Sequence, residues 1–200
     1  MKRLSEKESL DFLEKGGISV VPRKFFLTRF GLKGALRDVG RESVMKVSGK
    51  SLPSEKEKLV MELKTYSGAL EDFRRLKKIH PLKGIILKKK VKGKEFFVEI
   101  RRNENKKYSL LFSFLGTEDG QEKILVSKSF PINKKKLKKM IKESKFPKTI
   151  SKRALKNFEE FVFDFCQIVK KGSKIEKIQI DPLFVNEKFS VVVSASVILD

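Results

Sequence analysis

The chain contains one cysteine, Cys166, so no internal disulfide can form, and a lone thiol suits a reducing compartment. Long apolar runs are missing as well. Nothing approaches the roughly 20 residues that a membrane helix needs. The opening MKRLSEKESLDFLEKGG lacks the uninterrupted apolar core of a secretory signal. These absences make the cytoplasm the expected compartment and exclude a membrane partner. There is a single histidine, His80; with no second His and no Cys beside it, a metal or catalytic role for it has little support. Acid is also scarce: 25 Asp and Glu stand against 47 Lys and Arg, a net charge of +22. Such an excess attracts polyanions and speeds encounter with them. It concentrates at Lys88–Lys89–Lys90 and at Lys134–Lys135–Lys136, with Lys138 and Lys139 close behind. A solvated lysine face and an anionic partner, either nucleic acid or an acidic protein surface, both remain open readings of these runs.

The 200 residues are 40% hydrophobic, enough for one domain or two closely joined lobes around a real core. Ser5 with Glu8 forms a capping box for a first helix that Gly16–Gly17 ends. ISVV (18–21) and KFFLTRF (24–30) read as extended, and a brief helix around Ala35–Val39 stops at Gly40. SVMKVSG (43–49) and KLVMELK (58–64) read as strands. A helix from about Tyr66 to Ile79 carries Leu70, Phe73 and Leu76 on one side. The second half opens with strands over 83–91, 94–102, 108–116 and 122–130, whose short polar links suggest an antiparallel meander. Asn133 caps a basic helix to about Phe146. Ser151 caps a longer one with a Leu155, Phe158, Val162, Phe165, Val169 stripe, beside which Cys166 reads as core. Two strands, IEKIQIDPLFV and SVVVSASVIL, close the chain. The pattern is α+β, with a boundary near His80–Lys83.

Five segments carry a family resemblance: LSEKESLDFLEKGGISV, VMKVSG, KGIILKKKVKGKEFFVEIRR, GTEDGQE and IDPLFVNEKFSVVVSASVIL. In this order the chain resembles the ATP-grasp, beta-type subunit of NDP-forming acyl-CoA synthetases, which includes ADP-forming acetate–CoA ligase and relatives of succinyl-CoA synthetase. The resemblance implies an ATP-grasp fold of two lobes, residues 1–82 and 83–200, with mainly antiparallel sheets and flanking helices. It implies ATP or ADP with Mg²⁺ as cofactors, phosphoryl transfer in an acid–thiol ligase reaction, and a CoA-binding alpha-type partner. Lys46 takes the place of the family's phosphate-contacting lysine, although an outward strand lysine among apolar neighbours would look the same. Glu95 matches an acidic family position, which the resemblance assigns to binding the nucleotide cofactor. Glu118 and Glu122, with Asp119, lie in the turn near the phosphoryl-transfer site, where a solvated turn is the other reading.

The closing hairpin permits a geometric expectation. With Glu187–Lys188 as the turn, Asp181 falls directly opposite Ser194, and their Cβ atoms should lie roughly 5 Å apart. Two oxygen donors so placed could share a metal, and the family has Asn and Asp there. Asp181 could instead only start a turn with Pro182. Elsewhere the chain departs from the pattern. PSEKEK (53–58) replaces the glycine-bearing nucleotide loop and its histidine. Lys88–Lys89 replaces a Gln-Glu pair, exchanging acceptors for donors. These departures leave open a non-catalytic scaffold or nucleotide-sensing subunit, and also a basic nucleic-acid-binding protein. Phe96 and Phe97, between basic residues, suit either base stacking or strand packing.

Overall fold

The computed structural model describes residues 1–48, 61–63, 65–79, 84–114, 125–144, 150–169 and 174–200. They divide into two compact units. One comprises Ser5–Glu8 and Val21–Val91, the other Met1–Leu4, Ser9–Val20 and Lys92–Asp200. The chain enters through β1 (Lys2–Arg3) and α1 (Glu6–Lys15). The capping box forms as expected: Glu8 N donates to Ser5 Oγ, and Ser5 N to the Glu8 carboxylate at 2.7 Å. Gly17, at φ 89°, ends α1 in the left-handed region that a glycine enters without strain.

The first unit is built on β2 (Arg23–Phe26), α2 (Arg29–Val39), β3 (Ser43–Ser48), β4 (Met61–Leu63), α3 (Tyr66–Ile79) and β5 (Gly84–Lys89). Its sheet runs β2-β5-β3-β4, antiparallel throughout. Alternation sorts the side chains. Phe26, Met45, Ile85 and Leu87 face α2 and α3, where Leu32, Ala35, Val39, Ala69, Phe73 and Leu76 complete the core. Phe26 stacks on Phe73 at 5.8 Å. Two expectations change here. KFFLTRF is not one strand: it bends at Leu27–Thr28, and Arg29 opens a helix three turns long. Its aromatic residues suit a strand locally, but the Leu32, Ala35, Val39 stripe needs a helix to reach the core. β5 does not open the second-half meander either. Its unbroken apolar run, buried from Gly84 to Lys88, fills the centre of this sheet between β2 and β3.

The second unit adds β6 (Lys94–Arg102), β7 (Tyr108–Phe114), β8 (Leu125–Ser129), α4 (Lys134–Glu143), α5 (Lys152–Ile168), β9 (Ile175–Val185), β10 (Ser190–Val192) and β11 (Ala195–Leu199). Strand order is β1-β11-β9-β6-β7-β8, with β10 also on β9, and every pair is antiparallel. Asn133 Oδ1 caps α4 through Lys136 N, and Ser151 Oγ caps α5 through Ala154 N, both as the sequence suggests. Phe158 of α5 lies on one face of the sheet, stacked on Phe96 at 4.3 Å and edge-on to Phe112 at 5.4 Å. Phe96 and Cys166 are therefore core. The opposite face is polar, presenting Glu95, Glu99 and Arg101 from β6 with Lys177 and Gln179 from β9. At the corner before β6, a Cβ on Gly93 would stand 2.7 Å from the Val185 carbonyl oxygen, so only glycine fits there.

Candidate functional site

The closing hairpin sets the first constellation. β9 pairs with β10 through Ser190↔Val185 and with β11 through Ala195↔Ile180, the register that an Asn186–Phe189 connection demands. Asn186 fixes the connection, its Oδ1 accepting from Lys188 N and Phe189 N. Between β10 and β11 the ladder is interrupted opposite Pro182, which has no N–H to donate. Asp181 N still donates to the Ser194 carbonyl at 3.0 Å, so Asp181 and Ser194 do lie across from one another. Glu95, two strands from Ser194, joins them. Burial raises its carboxyl above the usual range, and the Asp181 charge pushes it the same way. Carboxylates and a serine hydroxyl are oxygen donors of the kind a hard divalent cation takes, and here Asp181 lies across from Ser194 and is electrostatically coupled to Glu95. Among the described residues, no group of three or more His, Cys, Asp or Glu is arranged to hold a metal. A cation here would have to draw on Ser194 and a ligand's own oxygens. Further along this face, Glu99 is buried and paired with Lys177 at 2.8 Å, a link that separate readings of the two strands do not reveal.

The second constellation belongs to the four-stranded unit and forms on the sheet face away from its core. Lys46 of β3 lies across from Ile86, and Lys88 of β5 across from Val44, so both lysines emerge on one face. Glu6, in the first turn of α1, meets them. Its Oε1 accepts from Lys46 Nζ at 2.7 Å and from Lys88 Nζ at 2.5 Å. The Lys88 side chain is 4% exposed, Glu6 10% and Lys46 19%. Lys88 therefore does not belong to a solvated basic run; only Lys89, next to it, is exposed. The sequence carries a trace of this, because Lys88 continues the alternation that points Ile86 to the same face.

Burial lowers the Lys88 ammonium to a pKa of about 8; Glu6 opposes the shift, while Lys46 and Arg23 add to it. Burial would raise Glu6, but the Lys88 and Lys46 charges outweigh it and hold the carboxyl below its usual range. The signs give a testable profile. Between about pH 8 and 10.5 the unfolded chain binds a proton on Lys88 that the folded chain has released, so stability rises with pH across that window. Glu6 contributes stability above its unfolded pKa, which is lost as pH falls through its lower folded value. Denaturant unfolding from pH 7 to 10 should show the alkaline rise in the wild type and a flatter profile in Lys88→Met. Parallel profiles would refute the assignment.

Glu118, Glu122, Asp119, His80 and the 53–58 loop lie outside the described residues. No described helix is long and apolar enough to cross a membrane.

Residues 1–199 match the ATP-grasp domain family, and the chain belongs to it. More particularly, it is related to ADP-forming acetate–CoA ligase: ligase II of Archaeoglobus fulgidus is 26% identical over 204 residues. That match takes in 98% of this chain and 30% of the ligase, so the chain spans under a third of its relative's length. Among solved structures, one is the dinucleotide-forming acetyl-coenzyme A synthetase 1 of Ca. Korarchaeum cryptofilum in complex with coenzyme A, Ca-AMPCP and HgCl+. It superposes with a TM-score of 0.84 at 17% identity, over 100% of this chain and 94% of that one. A Pyrococcus horikoshii protein gives 0.82 at 20%, over 99% and 92%. The antiparallel sheets and flanking helices are thus those of an ATP-grasp fold, as the sequence resemblance implies.

Proposed function

We propose that this chain binds ATP or ADP with Mg²⁺ and serves phosphoryl transfer in an ADP-forming acyl-CoA synthetase, alongside a CoA-binding partner or domain. The observation that carries this reading is the pairing of Asp181 with Ser194, with Glu95 electrostatically coupled to Asp181, in a chain matched along its length to ADP-forming acetate–CoA ligase. In this reading Asp181 and Ser194 hold the metal, which would neutralise phosphate charge, and Glu95 contacts the nucleotide. Lys46 holds a phosphate oxygen, its ammonium acting as a point charge on a flexible stem. Glu118 and Glu122 act near the transferring group.

A second reading has its own support. Glu6 already engages both lysines, and PSEKEK (53–58) stands where the family has its glycine-bearing loop and histidine, which suits a non-catalytic, nucleotide-sensing subunit. Calorimetric titration with ATP, with and without Mg²⁺, tests both. Heat at micromolar to millimolar nucleotide, strengthened by Mg²⁺, is expected. Its absence at millimolar nucleotide would overturn the nucleotide-binding reading in either form. Given binding, ADP/ATP exchange in the presence of acyl phosphate and the CoA-binding partner separates turnover from sensing.

A further inference from the structure

In the four-stranded unit, Arg23, Lys46 and Lys88 bring three cations to one sheet face, with Arg23 directly across from Lys88 in the ladder. The anion between the two lysines is Glu6, and a single oxygen, Oε1, receives both lysine ammoniums. Two ammoniums converging on one oxygen make an oxyanion site, because a phosphate oxygen has the same charge sign and accepts the same bonds. A buried ammonium also needs a counter-ion to remain charged. Glu6 supplies one from the first turn of α1, where the helix dipole favours a carboxylate. Its side chain and that of Lys46 are the more exposed members, so the pair can be approached from the Lys46 side.

We propose that Lys46 and Lys88 together form a phosphate-binding pair, and that Glu6 is a resident counter-ion which a phosphate group displaces. The inference rests on the reading of Lys46 as a phosphate contact and adds two residues to it. Lys88 becomes a second cation on the phosphate, and Glu6 becomes a competitor that sets the affinity. The ligand class is the phosphate chain of a nucleoside di- or triphosphate, or free polyphosphate. A dianionic phosphate group outcompetes a carboxylate because it carries more charge and more acceptor oxygens.

The experiment uses the full chain, with inorganic tripolyphosphate and ATP as calorimetric probes. Glu6→Gln should bind tripolyphosphate about tenfold more tightly than the wild type, and Lys88→Met about tenfold more weakly. Glu6→Gln should also melt lower in phosphate-free buffer and recover with millimolar phosphate, whereas the wild type moves little. If Glu6→Gln does not fold without an anion, the double variant Glu6→Gln/Lys88→Met should fold and show no phosphate response. Unchanged or weaker affinity in Glu6→Gln, or wild-type affinity in Lys88→Met, overturns the proposal. The two readings separate cleanly. If Lys46→Met loses ATP while Glu6→Gln and Lys88→Met bind as the wild type, nucleotide binding stands and the phosphate pair falls. If no variant binds ATP but Glu6→Gln tightens tripolyphosphate, the pair stands and nucleotide binding falls.

Discussion

Replacing Phe158 with alanine should lower the unfolding free energy of the seven-stranded unit by about 4 kcal/mol. Phe158 is fully buried on α5, with Phe96 stacked 4.3 Å away on β6 and Phe112 edge-on at 5.4 Å on β7. Truncation removes the ring's transfer free energy and both aromatic contacts. It also leaves a void that β6 and β7 cannot close, since their ladders to β9 and β8 fix their spacing. Such a loss is a large share of the 5–15 kcal/mol that typically holds a domain. Urea unfolding of Phe158→Ala measures it, with Phe30→Ala as the comparison. Phe30 is 78% exposed, and its removal should change stability by less than about 0.5 kcal/mol. A loss below about 1 kcal/mol for Phe158→Ala would mean that α5 is not the main cover of this sheet face.

That core was legible before the structure because it is locally encoded. The Phe158, Val162, Phe165 stripe lies on a single helix, Ser151 announces its start, and the hairpin register follows from the length of one connection. These signals need only neighbours a few residues apart. The strand Gly84–Lys89 was readable as a strand but not as a member of one sheet or the other. A short, continuously apolar run carries no record of which partners flank it. The charged cluster was hidden for a stronger reason. Glu6 looks like an ordinary acid in a first helical turn, and Lys88 like one of three solvated lysines. Their bond joins residues 82 positions apart. Composition gives the net charge of +22 but cannot say that one of its lysines is buried against a carboxylate. In the same way Glu95 was readable as an acidic position, while its coupling to Asp181 appears only once β6 and β9 are adjacent.

The largest functional effect is expected at Lys46. Lys46→Met should weaken ATP binding about 100-fold, equivalent to about 2.7 kcal/mol, within the range for hydrogen bonds to charged groups. The fold should survive, because Glu6 retains Lys88 as its partner and Lys46 is the most exposed of the three side chains. Lys46→Arg should fall between the two: the charge remains, but a planar guanidinium cannot occupy the position of a compact ammonium. Asp181→Asn supplies the contrast. If Asp181 serves the metal and Lys46 the phosphate, Asp181→Asn should abolish the Mg²⁺ dependence of binding while leaving metal-free ATP affinity within about twofold. Lys46→Met should weaken both. Calorimetry on Lys46→Met and Asp181→Asn, with and without Mg²⁺, gives a two-by-two pattern that a merely structural role for either residue would not produce. Equal ATP affinity in the wild type and Lys46→Met would remove the phosphate from β3. A uniform loss in Asp181→Asn would reassign that residue to holding the hairpin rather than the metal.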